Sequence, residues 1–202
     1  MASQARLIDP PGVQEWIPLS EQSRFWVRVY GRPAPQGSKK ATVIKNRAVL
    51  RESSRFCKPW RSEVAAAARR VVRTCKTGES FPIREDVGVS ILFLFPRPKS
   101  HFRTGKFSHL LRPDAPLFVK EKNRGDYDKL LRASWDGLAE TTGGALIRDD
   151  SQIVILPGCN AKRYCHGTEL PGAIIEVTPA NPWPSCDIDP RRNPVLVPSG
   201  TY

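Results

Sequence analysis

The sequence predicts a single domain of the α/β (α+β) class, a mixed β-sheet with two main helices packed on it. Three observations carry that prediction. The chain has 202 residues and 22.6 kDa, of which 40% are hydrophobic, enough for one core of ordinary size. Segments with a period of two alternate with two segments of helical period. Their order, several strands, a helix, a strand, a helix and further strands, places helices on a sheet and not in a bundle.

The elements follow in chain order. Residues 1 to 22 are polar and Pro-containing without a sustained period, and they read as a tail. In "RFWVRVYG" Phe25, Val27 and Val29 alternate with Trp26, Arg28 and Tyr30, the pattern of a half-buried strand. "RPAPQGSKK" is a Pro/Gly loop ending in two lysines, and "ATVIKNRAVLRE" reads as two short strands around a Lys45-Asn46 turn. "KPWRSEVAAAARRVVRTC" is the clearest helix. Pro59 suits its first turn, four alanines raise its propensity, and Val64, Ala68, Val71 and Val72 recur on one face. "VGVSILFLFPRP" is an apolar run of strand length, a buried central strand that Pro96 and Pro98 end. Residues 99 to 124 form a long basic loop, of a length that is commonly functional or disordered. "DYDKLLRASWDGLAE" is the second helix, with Leu130, Leu131, Ala133, Trp135 and Leu138 as its apolar face and Gly143 and Gly144 expected to break it. "SQIVILPGCNAKRY" and "GAIIEVTP" close the core as two strands. Residues 23 to 180 thus form the domain, and the Pro-rich residues 181 to 202 a second tail.

Charge narrows the function. The formal net charge is +12 and the isoelectric point about 9.9. From Arg24 to Lys76 fifteen Lys and Arg face only Glu52 and Glu63, a local +13 that leaves the remainder close to neutral. Clustered cations gain binding free energy by releasing counterions from phosphates, so a nucleic acid is the expected partner. No apolar run approaches the roughly 18 residues of a membrane span. The first residues contain no apolar export segment, and a cytoplasmic protein is expected. The five cysteines are irregularly spaced, with no CxxC pair, so reduced and mostly buried thiols are expected; Cys159, Cys165 and His166 lack the fourth ligand of a zinc site.

Within this basic chain Asp126, Asp128, Asp136, Asp149 and Asp150 are crowded into "NRGDYDKLLRASWDGLAETTGGALIRDDSQIV". Asp126 and Asp128 stand two apart at the mouth of the second helix, where either also suits a helix cap. Asp149 and Asp150 stand just before a strand, where a turn pair is equally ordinary. Carboxylates that converge repel one another unless a cation neutralises them, and hard oxygen ligands suit Mg²⁺ or Mn²⁺. Beside a phosphate-binding surface such an ion serves phosphodiester chemistry by polarising the scissile phosphate, and a histidine base is not required of His101 or His109.

"GRPAPQGSKK", "FPRPKSH", "GDYDKLLRASWDGL" and "IRDDSQIVIL" followed by "AKRY" resemble, in that order, the motifs of the RusA family of Holliday junction resolvases, often found in phages and prophages. The resemblance covers about residues 25 to 178, and its most specific part is D-x-D with a helix followed by Asp-Asp-x-Gln. It implies a homodimeric α/β endonuclease that nicks four-way DNA junctions in pairs with Mg²⁺ or Mn²⁺, with no small-molecule cofactor and no membrane, in the cytoplasm of a bacterial host if phage-encoded. Carried over by position, the catalytic and metal-binding carboxylates are Asp126, Asp128 and Asp150, with Asp149 adjacent at the metal and Asp136 supporting from the same helix. Lys39, Lys40, Arg124, Lys129, Lys162 and Arg163 fall to DNA contact, the last two facing one phosphate. Two positions depart from the family pattern. Lys129 stands where an asparagine is usual, and Arg132 where a lysine is usual, one turn after Asp128. Arg132 still pairs with Asp128 or clamps a phosphate, but it does not readily exchange a proton. A non-catalytic binder of branched DNA and a nuclease of the same fold acting on flaps are the alternatives.

Overall fold

The computed structural model describes residues 23–37, 39–44, 47–52, 54–76, 78–121 and 124–180. Seven strands and two helices follow in the order β1 (Phe25–Tyr30), β2 (Lys39–Ile44), β3 (Arg47–Glu52), α1 (Cys57–Thr74), β4 (Val87–Phe95), α2 (Tyr127–Leu138), β5 (Ile153–Ile155), β6 (Ala161–Tyr164) and β7 (Gly172–Pro179). The predicted tails lie outside the described residues.

β4 is the centre of a mixed five-stranded sheet. It pairs antiparallel with β7, which pairs antiparallel with β1, and parallel with both β5 and β6 on its other side. Buried on both faces, β4 needs no polar alternation, which is why its sequence is a continuous apolar run. Phe25, Val27 and Val29 of β1, Ile91 and Phe93 of β4, and Ile175 and Val177 of β7 form one core with Trp60, Val64 and Ala68 of α1 and Leu130, Ala133 and Leu138 of α2. Trp60 buries its indole by donating from Nε1 to Ser134 Oγ at 3.0 Å, and Ser134 in turn donates to the Leu130 carbonyl. At the α1–α2 seam Gly137 permits the approach: a Cβ there would stand 2.6 Å from Val64 Cβ.

β2 and β3 are the two short strands the sequence predicts, and they pair antiparallel as a two-stranded sheet separate from the main one; the Lys45-Asn46 turn lies outside the described residues. Two expectations are corrected. "SQIVILPGCNAKRY" is two strands, not one. β5 pairs with the start of β4 and β6 with its end, and between them Pro157, which has no N–H to give the ladder, packs its ring over Gly88 while its carbonyl accepts from Ser90 Oγ. Asn160 fills the gap in the ladder, its Oδ1 accepting from Ile91 N at 2.9 Å. The second helix also stops earlier than Gly143 and Gly144. Ala139 is already extended and bridges in parallel to Ile147, and the Leu138 carbonyl accepts from Leu146 N at 3.2 Å. Sheet-like pairing claims the chain before the glycines are reached. The 99–124 loop is pinned to the core: Phe102 bridges Leu111, Phe118 bridges Arg163, and Arg97 donates to the Cys165 and Pro116 carbonyls. No disulfide forms among the described residues, where Cys57 and Cys165 are buried and Cys159 is exposed.

Candidate active site

The mouth of α2 is built from three separated pieces of chain. Gly125, at φ 91°, makes the turn into the helix, and a Cβ there would meet Pro35 Cγ at 2.5 Å. The "RPAP" loop lies against the same turn, with Gln36 N donating to the Lys129 carbonyl at 2.9 Å. From β6, Lys162 Nζ donates to the Gly125 carbonyl at 2.9 Å. Tyr127 anchors the turn inward, its ring edge-on to Phe93 and its hydroxyl donating to the Ile91 carbonyl. Burial raises the Tyr127 pKa to about 12, so this hydroxyl stays a donor.

Asp126 occupies the N-cap position of α2 by its backbone but makes no side-chain capping bond. Its carboxylate, 63% exposed, accepts from Lys129 Nζ at 2.8 Å instead. Lys129, through that bond and its charge, and Lys162 at longer range hold Asp126 below the usual carboxylate pKa, while Asp126 raises that of Lys129. Asp128 is exposed too and meets Arg132 at 3.5 Å, the i,i+4 pairing expected of them. Both carboxylates therefore present oxygens to solvent with a cation at their side.

Asp149 and Asp150 differ in employment. Asp149 caps the short 3₁₀ turn 150–152, accepting from Ser151 N at 3.0 Å, while Gln152 Oε1 accepts from Asp149 N at 2.9 Å, a complete capping box. The Ser151 bonds pull the Asp149 pKa down. Gln152 Nε2 then ties the turn to the Ile83 and Glu85 carbonyls. Asp150, left exposed, is carried by a fixed turn that packs beside α2. Gln152 is the positioning residue that reading the sequence for charge misses; its D-x-x-Q spacing is the signal that reveals it.

Asp136 lies about two turns further along α2 than Asp128, its Oδ2 2.7 Å from Arg61 Nη2 of α1. It ties the two helices together and does not reach the N-terminal carboxylates. Lys162 and Arg163 do not face one phosphate either, because neighbours on a strand point to opposite faces. Arg163 turns away from Lys162 and forks Glu169 at 2.6 and 2.8 Å, pulling the Glu169 pKa down to about 2. Arg124 is mostly covered, 3.5 Å from Glu121 Oε2 and over the Phe95 ring. The backbone of Lys39 and Lys40 starts β2. His101 packs edge-on against Tyr164, and His109 is exposed.

The exposed carboxylates of Asp126, Asp128 and Asp150 are the donor chemistry a hard divalent cation takes. Among the described residues no three acidic, histidine or cysteine side chains stand close enough to share one ion. In this arrangement Lys129 and Arg132 are the counter-ions of Asp126 and Asp128.

No curated protein and no solved structure matches the chain. A sequence family described as Endodeoxyribonuclease RusA matches residues 31–178. That span begins at the turn after β1 and runs through β7, taking in the "RPAP" loop, the mouth of α2 and the Asp149–Gln152 turn, and by this match the chain belongs to the RusA endodeoxyribonuclease family.

Proposed function

We propose that the protein is a divalent-metal-dependent endonuclease that resolves four-way DNA junctions by paired phosphodiester hydrolysis, serving recombination and repair of DNA in the cytoplasm. The observation that carries this reading is the Asp126 side chain, which stands where a cap bond is available and points its carboxylate at solvent beside Asp128. Asp126, Asp128 and Asp150 would hold Mg²⁺ or Mn²⁺ once their exposed carboxylates draw together around it. The bound ion supplies positive charge at the scissile phosphate. Lys129 and Arg132, which now pair with Asp126 and Asp128, would be the cations nearest the DNA phosphates if those carboxylates took up the ion. Lys162, fixed on Gly125, lends positive charge at the same mouth. Lys39 and Lys40 lie at the start of the separate hairpin and contact the arms of the junction.

A four-way junction has approximate two-fold symmetry and is resolved by two nicks in strands of like polarity. One chain carries one acidic mouth, so the working unit is a symmetric homodimer. The outer face of the sheet supports this. On the edge strand β1, Trp26 and Tyr30 are exposed, and the row Arg28, Ile174 and Leu92 continues that face across β7 and β4.

Incubation of the purified protein with a labelled mobile junction, first with Mg²⁺ and then with EDTA, tests the proposal. Paired nicks that require the metal are expected. Binding without cutting would replace the nuclease by a non-catalytic binder of branched DNA. Single nicks, with faster cutting of flaps than of junctions, would move the substrate to flaps.

A further inference from the structure

Beside the acidic mouth, between the "RPAP" loop and the first turn of α1, lies a cavity of about 260 Å³. Its walls include Pro33, Pro35, Phe56 and Trp60, and Arg32 and Arg124 are among the lining residues. It is at the small end of ligand pockets, which run from about 300 to 1,000 Å³, and suits one planar heterocycle. Trp60 is locked from behind through Ser134, so its ring is a rigid wall. Phe56, by contrast, is 55% exposed directly before α1, a large aromatic that no core contact explains. The rim is cationic: Arg32 is exposed, and Arg55 lies 4.6 Å over the Phe56 ring. Arg124, whose buried Nε lies 3.5 Å from Glu121 Oε2, adds a second guanidinium to the lining. Glu63 is the one acidic group of the lining and offers an acceptor to an exocyclic amine.

The cavity adjoins the turn into α2 that carries Asp126. Arg124 is two residues before Asp126, and Pro35, a wall of the cavity, is the residue against which Gly125 turns. A DNA strand crossing Asp126 therefore passes beside an aromatic slot with a positive rim. We infer that this cavity takes an unstacked nucleobase next to the scissile phosphate, stacked against Phe56, with Arg32 on its phosphate. An apolar peptide would fill the same walls, but the cationic rim favours a nucleotide. The inference rests on the nuclease reading and adds a base-binding subsite to it.

The test is an abasic scan of the junction with the full chain in EDTA. Nucleotides flanking the cut are replaced one at a time by abasic residues, and affinity is measured for wild type and Phe56→Ala, whose exposed side chain leaves the core untouched. One position is expected to cost the wild type roughly tenfold, the size of one lost base–aromatic stack. Phe56→Ala should lose the same factor on intact DNA and nothing further at that abasic position, the non-additivity of a direct contact. Losses that multiply, or no sensitive position, would overturn the inference and leave the cavity to a protein occupant. If the pocket inference alone fails, metal-dependent junction cutting survives; if the nuclease reading fails, wild type does not cut.

Discussion

At Asp126 the backbone offers the carboxylate a capping role that it does not take, whereas Asp149 takes one completely. Identical side chains at two N-cap positions are thus employed differently by the bonds their neighbours supply. Asp126→Asn, Asp128→Asn and Asp150→Asn are each expected to lower junction cutting on the order of a thousandfold, the several kcal/mol a catalytic metal contributes. Binding in EDTA should be unchanged or tighter, since each change removes negative charge beside DNA. Asp149→Asn should keep most of its cutting, because asparagine caps as well as aspartate. Gel cleavage and shift assays on one junction separate these outcomes; full activity in any of the first three would remove that residue from the metal. The Lys129 bond has a pH consequence of definite sign. Because Lys129 depresses the Asp126 pKa, Asp126 stays ionised and able to bind metal to lower pH than an unpaired aspartate. In Lys129→Met the Asp126 pKa should rise toward the ordinary value of 3.8, read from its carboxyl carbon shift by NMR. An unmoved titration would show that Lys129 does not hold the carboxylate.

Among the elements, the α1–α2 seam decides where the mouth of α2 sits. Gly137 lets the helices close on Val64, and Arg61 with Asp136 fastens the same seam. Gly137→Ala is expected to destabilise by about 1–3 kcal/mol despite its better helix propensity, because the added methyl overpacks the contact. Chemical denaturation checks this, and a stabilised variant would mean that the seam relaxes freely. The Asp149–Gln152 turn plays the corresponding part for Asp150. Gln152→Ala removes its two bonds to the Ile83 and Glu85 carbonyls, and cutting should fall more than junction affinity does.

For the whole molecule the dominant quantity is charge. Lys58, Arg69, Arg70, Arg73 and Lys76 are exposed along α1 and its end, within the +13 segment. Junction affinity should therefore fall steeply with salt, its logarithm losing about 0.9 per decade of salt for each phosphate neutralised. A flat response would take this surface away from the DNA. Sedimentation at micromolar concentration should return twice the 22.6 kDa chain mass. A monomer both free and on a junction would defeat paired cutting.

What the sequence determined by itself is whatever depends on local pattern. The period-two run of β1, the apolar run of β4, the alanine-rich α1 and the leucine face of α2 are all where periodicity puts them, since side-chain period and burial are coupled within one element. The D-x-D and Asp-Asp-x-Gln motifs were equally legible as the acidic residues of the candidate site. Only the tertiary structure decided the remainder, because it depends on partners distant in the chain. The split of β5 from β6 follows from two stretches of β4 each claiming a neighbour, and the early end of α2 from the bridge between Ala139 and Ile147. Likewise Asp136 was assigned to Arg61 and Arg163 to Glu169 by geometry that charge and spacing do not encode. A carboxylate's role is set by the nearest cation in space, and only folding makes Arg61 that neighbour for Asp136.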